Sequence, residues 1–147
     1  MLHRALMAFV LAITAPTIIG CQKSDLPQRA PVEGTVTLDG EPLTTGWVQF
    51  TPDTAAGNRG PVAVGPIDTN GRYRLKTDSN ETVPDGAVLG THRVSIEARA
   101  PRTSEIDTLP RLLIPERYTT AETSGLTAEV KPITVNEINF TLIRQTR

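Results

Sequence analysis

Cysteine is nearly absent from this sequence: Cys21 stands alone among 147 residues. A single thiol closes no disulfide within the chain, so stability must come from burial and hydrogen bonds. Histidine is almost as scarce, with only His3 and His92. A hydrolytic metal centre needs ligands such as two histidines and a carboxylate. Serine and threonine are plentiful, but past residue 20 the only histidine base available to them is His92. The chain therefore reads as no enzyme, with no metal and no cofactor. Neither charge dominates: past residue 20 there are 14 Lys and Arg against 16 Asp and Glu. No basic stripe interleaves with aromatics, so nucleic acid has no support as a partner. The aromatics past residue 20 are Trp47, Phe50, Tyr73, Tyr118 and Phe140. The core must be built mostly from Val, Ile and Leu.

Only one long apolar run occurs. Ala5 to Ile19 spans about 15 mainly apolar residues, the length of a signal-peptide core and short for a spanning helix. Thr14, Pro16 and Thr17 weaken any spanning helix there. Arg4, with His3 beside it, gives a small basic start, and Gly20 is small, as the residue before a cleaved bond must be. Ile18-Ile19-Gly20-Cys21 then resembles the lipobox of bacterial lipoproteins. The resemblance implies a signal peptide over 1–20, a diacylglycerol on the Cys21 thiol and a further acyl chain, such as palmitate, on the freed amine. At ~0.8 kcal/mol per buried methylene, two or three chains hold a protein stably on a membrane. An ordinary cleaved signal beside a chance cysteine and an uncleaved N-terminal anchor are the alternative readings. The expected location is extracytoplasmic and membrane-anchored. Aspartate after the cysteine would resemble an inner-membrane retention signal; Gln22 leans towards the outer membrane.

Residues 21–31 are polar or helix-breaking and read as a flexible tether. From Val32 the pattern changes to period two. Val32, Gly34, Val36 and Leu38 alternate with Glu33, Thr35, Thr37 and Asp39, the pattern of a half-buried strand. Asp39-Gly40 makes a turn. Gly46 to Thr51 follows, with Val48 and Phe50 on one face and Trp47 and Gln49 on the other; Pro52 ends it. Residues 53–61 read as an exposed loop. Val62 and Val64 begin a strand that Gly65-Pro66 limits to an edge or a bulge. Asp68-Thr69-Asn70-Gly71 turns into a strand with Tyr73 and Leu75 inward. The longest strand is expected over Thr91–Arg99, with Val94, Ile96 and Ala98 inward and Arg93, Ser95, Glu97 and Arg99 outward. Pro101 to Pro115 is a long connection with room for a helical turn near Leu109–Leu113. Leu126, Ala128 and Val130 alternate, then Ile133 and Val135, then Ile138, Phe140 and Leu142. The parity change near Asn136-Glu137 suggests a bulge or a turn. No stretch has a helical period. About seven short strands imply an all-β, antiparallel sandwich over 32–143, with 144–147 as a tail.

Few side chains here could recognise anything. Trp47 is the candidate ligand contact: its parity points it outward, where an exposed indole stacks on sugars or anchors protein contacts, and packing under a loop or a neighbouring strand is the alternative reading. Asp78-Ser79-Asn80-Glu81 to Asp85-Gly86 offers oxygen atoms for calcium without the EF-hand spacing. Arg72, Arg74 and Lys76 line one strand face, either a solvated face that pairs with nearby acids or a contact for an anionic polymer or headgroup. His92 is either a general base or an imidazole at the sandwich rim.

Several segments together resemble one family. Val32-Glu33-Gly34-Thr35-Val36-Thr37-Leu38-Asp39-Gly40-Glu41-Pro42-Leu43 is similar to the opening of transthyretin-like, carboxypeptidase-regulatory-like domains. Gly46 to Pro52 resembles their second strand, and Asn70-Gly71-Arg72-Tyr73 their Asp-Gly-aromatic turn. Ile114-Pro115-Glu116-Arg117-Tyr118 and Thr123-Ser124-Gly125-Leu126-Thr127 resemble small bacterial lipoproteins of this type. The family pattern Pro-Gly-x-Tyr-x-Val reads Leu89-Gly90-Thr91-His92-Arg93-Val94 here, with His92 in the tyrosine's place. The resemblance implies a seven-stranded prealbumin-like β-sandwich. It does not imply peptidase activity, because the zinc domain that this module accompanies has no counterpart in the chain. Hydroxyisourate hydrolases share that fold but end in Tyr-Arg-Gly-Ser, whereas this chain ends Arg144-Gln145-Thr146-Arg147. The expected role is a non-catalytic binding or scaffolding module of the cell envelope. Its partners would be the membrane, through lipid on Cys21, and an envelope protein. The alternative is a carbohydrate-binding module that stacks glycans on Trp47 and Tyr118.

Overall fold

A computed structural model describes residues 27–77, 85–101 and 110–144. The expected signal peptide 1–20, Cys21 with its lipidation, the start of the tether, Asp78 to Glu81 of the calcium-candidate loop, Leu109 and residues 145–147 lie outside the described residues.

The chain is all-β. Its strands are β1 (Arg29–Ala30), β2 (Val32–Leu38), β3 (Glu41–Pro42), β4 (Trp47–Pro52), β5 (Ala63–Pro66), β6 (Arg72–Arg74), β7 (Lys76–Thr77), β8 (Ala87–Val88), β9 (Gly90–Glu97), β10 (Leu126–Val130), β11 (Asn136–Glu137) and β12 (Phe140–Leu142). One sheet has the order β10-β9-β4-β5-β7 and is antiparallel throughout. The second is built around β2. One edge of β2 pairs antiparallel with β6 and β3, and the other pairs in parallel with β11 and β12. The parallel pairing departs from the all-antiparallel expectation. It arises because the end of the chain returns alongside its first long strand. A two-stranded patch joins β1 to β8. The last residues assigned to the tether are thus folded, and Ala30 is buried.

Alternation explains the layers. In β2 every second residue is buried, and Glu33, Thr35 and Thr37 point away. In β4 Val48 and Phe50 are fully buried while Trp47 and Gln49 stay out. Val94 and Ile96 of β9, Ala128 and Val130 of β10, Tyr73 of β6 and Phe140 and Leu142 around β12 complete one continuous core shared by the two sheets. Its centre is aromatic. Phe50 of the first sheet lies 6.4 Å from Tyr73 and 6.1 Å from Phe140 of the second, ring centre to ring centre. Such pairs add ~0.5–1.5 kcal/mol each beyond their buried area. The chain between β6 and β7 crosses from one sheet to the other, with Leu75 fully buried at the crossing.

The closing strand is interrupted where the sequence changes parity. Between β11 and β12 the ladder on β2 is carried by a side chain. The Asn139 Oδ1 accepts from the Thr35 backbone N–H at 2.8 Å and from the Thr35 hydroxyl at 2.9 Å. The Ile138 N–H donates to the Glu33 carbonyl, and the Ile138 carbonyl accepts from the Tyr73 hydroxyl at 2.7 Å. That carbonyl sits directly over Gly34, where a Cβ would be 1.8 Å from the oxygen. Gly34 is the residue that lets the interruption lie flat.

Some expectations need correction. Ser95 is buried, because the segment carrying the 3-10 turn Glu116–Thr119 packs on β9. Among the described residues 110–113 there is no helical turn; Leu112 instead bridges to Arg99. The strand expected from Val62 begins at Ala63, and Ala63 and Gly65 are its buried residues. Ile133 and Val135 belong to no strand. They sit exposed on a turn between β10 and β11.

Candidate functional site

Trp47 opens β4 and is 56% exposed. Its register partners are Pro66 on β5 and Glu97 on β9. Gln49 and Thr51 follow on the same face, the Gln49 amide donating to the Thr51 hydroxyl at 3.4 Å. Glu97 pairs with the Arg99 guanidinium, which also donates to the Pro110 carbonyl. The indole therefore shares its sheet face with the Gln49 amide and the Glu97 carboxylate as nearest polar neighbours, with the Thr51 hydroxyl further along β4. The register also gives its position along the molecule. Gln28, Arg29, Val88, Leu89 and Gly90 cluster where the chain enters the fold. From Gly90 to Glu97, β9 covers about 23 Å at ~3.3 Å per residue. Trp47, beside Glu97, lies towards the end opposite Gln28 and Arg29.

Tyr118 does not join Trp47. It is buried, and its hydroxyl accepts from the Arg117 guanidinium at 2.7 Å and from the Ile143 N–H at 3.2 Å. The Arg117 guanidinium also lies over the Tyr118 ring. This ring locks the end of the chain onto the core and cannot stack a ligand.

His92 is fully buried against Phe50, their ring centres 5.7 Å apart, rather than sitting at the rim. Its Nδ1 lies 3.0 Å from the Gly90 carbonyl. A carbonyl can only accept, so Nδ1 carries the proton and Nε2 the lone pair. Nε2 has no partner among the described residues. Burial pushes the imidazole's pKa down, and the Gly90 carbonyl opposes this in part.

The basic stripe borders a shallow groove of about 590 Å³ on the second sheet. Arg72, Arg74 and Lys76 share it with Glu33, Asp68 and Glu137. Arg74 contacts Glu33 at 2.6 Å. The groove carries both signs of charge, so its attraction for a polyanion is weak. Tyr73 also borders it, but burial pushes its phenol far above the ordinary range. A second cavity of about 380 Å³ lies at the far end of β2, where Arg144 binds the Asp39 carboxylate through both its backbone N–H and its guanidinium. His92 lines neither cavity. Among the described residues no three His, Cys, Asp or Glu side chains converge as metal ligands.

Comparison with known proteins finds no matching family model, no matching curated protein and no matching solved structure.

The exposed pair Ile133 and Val135 is the feature that alternation missed. Asn136, polar yet 4% exposed, gives the reason. Its side chain accepts from the Lys131 N–H and donates to the Lys131 and Pro31 carbonyls. It folds the intervening turn outward and pins it beside Pro31.

Proposed function

We propose that this chain is an extracytoplasmic lipoprotein held to a membrane by lipid on Cys21, with the outer membrane favoured by Gln22. Its folded part is a transthyretin-like, carboxypeptidase-regulatory-like β-sandwich of seven principal strands. It acts as a non-catalytic binding or scaffolding module of the envelope. The observation that carries the reading is Trp47: a 56% exposed indole on a polar sheet face, towards the end away from the tether. The placement of His92 fits a role without catalysis, since the imidazole is buried in the core and lines neither of the two cavities described above. The test is a crosslinked pull-down from detergent-solubilised envelope with the parent and Trp47→Ala proteins. A partner recovered by the parent and lost with Trp47→Ala supports the reading; identical recovery from both overturns it.

The second reading is glycan binding. It is favoured by the Gln49 and Glu97 groups next to Trp47 on the sheet, since sugars are recognised by stacking plus hydrogen bonds to hydroxyls. Glycan-array binding that disappears in Trp47→Ala would select it, and a blank array would remove it. The anchor has its own check. Cys21→Ser should leave an unprocessed precursor and abolish fatty-acid labelling.

A further inference from the structure

The large apolar side chains left exposed are sorted between the two ends of the molecule. Trp47 and Ile143 lie away from the tether, beside Glu97 and Arg144. Ile133, at 52%, and Val135, at 42%, lie at the tether end. Their turn is held there by Asn136, whose backbone N–H donates to the Pro31 carbonyl at 2.8 Å. Val62 is exposed at the same end, following Gly60, which touches Val88 beside Arg29. The fold begins at Gln28, whose carbonyl accepts from the Leu89 N–H. Only residues 22–27 separate it from Cys21, seven steps with a reach of at most about 25 Å at ~3.3–3.6 Å per residue.

We propose that this end docks on the bilayer that carries the Cys21 lipid. Ile133 and Val135 enter the headgroup–acyl boundary, with Val62 and Pro132 beside them. The cations fit that placement. Lys131 and Arg59 are exposed in these loops; Asp85 and Glu129 are exposed at the same end, and Asp53 is held by Arg93 at 3.4 Å. Apolar area and adjacent positive charge are what an interfacial contact with anionic lipid uses. A short tether limits distance and leaves orientation free; the docked loops would fix orientation and aim Trp47 away from the membrane. The proposal rests on the reading of Cys21 as the lipid anchor.

The test uses the mature acylated protein in phosphatidylcholine–phosphatidylglycerol vesicles. Once the Cys21 sulfur is acylated, Ile133→Cys supplies the sole free thiol for an environment-sensitive fluorophore. Glu41→Cys, at the far end of β2, is the control. The expected result is a blue-shifted label at position 133, quenched several-fold more by spin-labelled lipid than the label at position 41. Ile133→Cys replaces an exposed side chain, so folding is retained and is checked by far-UV circular dichroism. A position-133 label as open to iodide as the control overturns the docking alone. A label shielded from both iodide and lipid overturns it in favour of a protein contact. Absence of acyl mass on Cys21 overturns the anchor and the docking with it.

Discussion

Gly34→Ala offers the sharpest test of how the chain closes. Its sign is not obvious in advance. Replacing glycine by alanine at a position whose backbone suits an L-residue usually stabilises by ~0.4–1 kcal/mol, through the unfolded state. Gly34 lies in the extended strand β2 without the positive φ of Gly40 or Gly71, so its backbone raises no objection. The objection is space. The new Cβ would lie 1.8 Å from the Ile138 carbonyl oxygen, and that neighbour is backbone, unable to rotate aside. The contact must open by ~1.5 Å to reach ordinary separation, and the C-terminal segment must lift off β2 to do so. Four hydrogen bonds are then at risk: the two from Thr35 to Asn139, Ile138 N–H to Glu33, and the Tyr73 hydroxyl to Ile138. At ~0.5–1.5 kcal/mol each, and with a buried phenol left unpaired, the loss is ~3–6 kcal/mol, several times the glycine advantage.

Urea unfolding followed by circular dichroism measures this; Trp47 is already exposed and makes a poor reporter. A loss of ~4 kcal/mol at a slope of ~1.5 kcal/mol/M lowers the midpoint by ~2.5 M. A second substitution identifies the cause. Tyr73→Phe alone removes only the hydroxyl and should cost ~1–2 kcal/mol. In the Gly34→Ala background its cost should fall towards zero, because the bond is already broken. A Gly34→Ala protein within ~0.5 kcal/mol of the parent, or full additivity of the two changes, would refute the reasoning.

His92 gives the pH dependence. Its folded pKa is depressed by burial below the unfolded value near 6.5. Its contribution is therefore constant above about pH 6.5 and is lost as the pH falls from there through the folded pKa, because the unfolded chain binds the proton first. His92→Leu should remove that part of the slope between pH 7 and pH 5 in unfolding titrations, and an unchanged slope would count against it. Asn136→Ala should cost ~2–3 kcal/mol, because the Lys131 and Pro31 groups lose their partner. Asn136→Asp should rescue nothing, since a carboxylate accepts from the Lys131 N–H but cannot donate to the two carbonyls; thermal melts of the pair decide this.

Alternation made β2 and β4 readable before any coordinates, because each has one wet and one dry face. The same parity pointed Trp47 outward, and the structure leaves it uncovered rather than packed under a loop. Parity fails where a third layer covers a sheet. Ser95 lies on the outward parity of β9 and is buried under the chain around Glu116–Thr119. It also fails where a polar side chain makes the inward contact. Asn136 carries the buried position by hydrogen bonding, so counting apolar residues alone drew Ile133 and Val135 into a strand. His92 shares parity with Val94 and Ile96, which gave its face correctly. Its depth depends on Phe50, a residue 42 positions away, and nothing local encodes that contact.

Scarcity of aromatics gives Trp47 its weight. Past residue 20 there are five, and Phe50, Tyr73, Tyr118 and Phe140 are all buried. Three of these meet at the centre of the core, and the fourth secures the chain end through Arg117 and Ile143. A protein this short of large apolar groups forgoes ~1.5–3 kcal/mol by leaving its one indole in water. Parity alone does not force that outcome, since Ser95 on the same sheet face is covered and Trp47 is not. The uncovered position is the one whose neighbours are Gln49, Pro66 and Glu97 and which lies far from the tether. An indole kept out of the core at that cost, at the end far from Pro31, is free to meet a partner, as the proposed function requires.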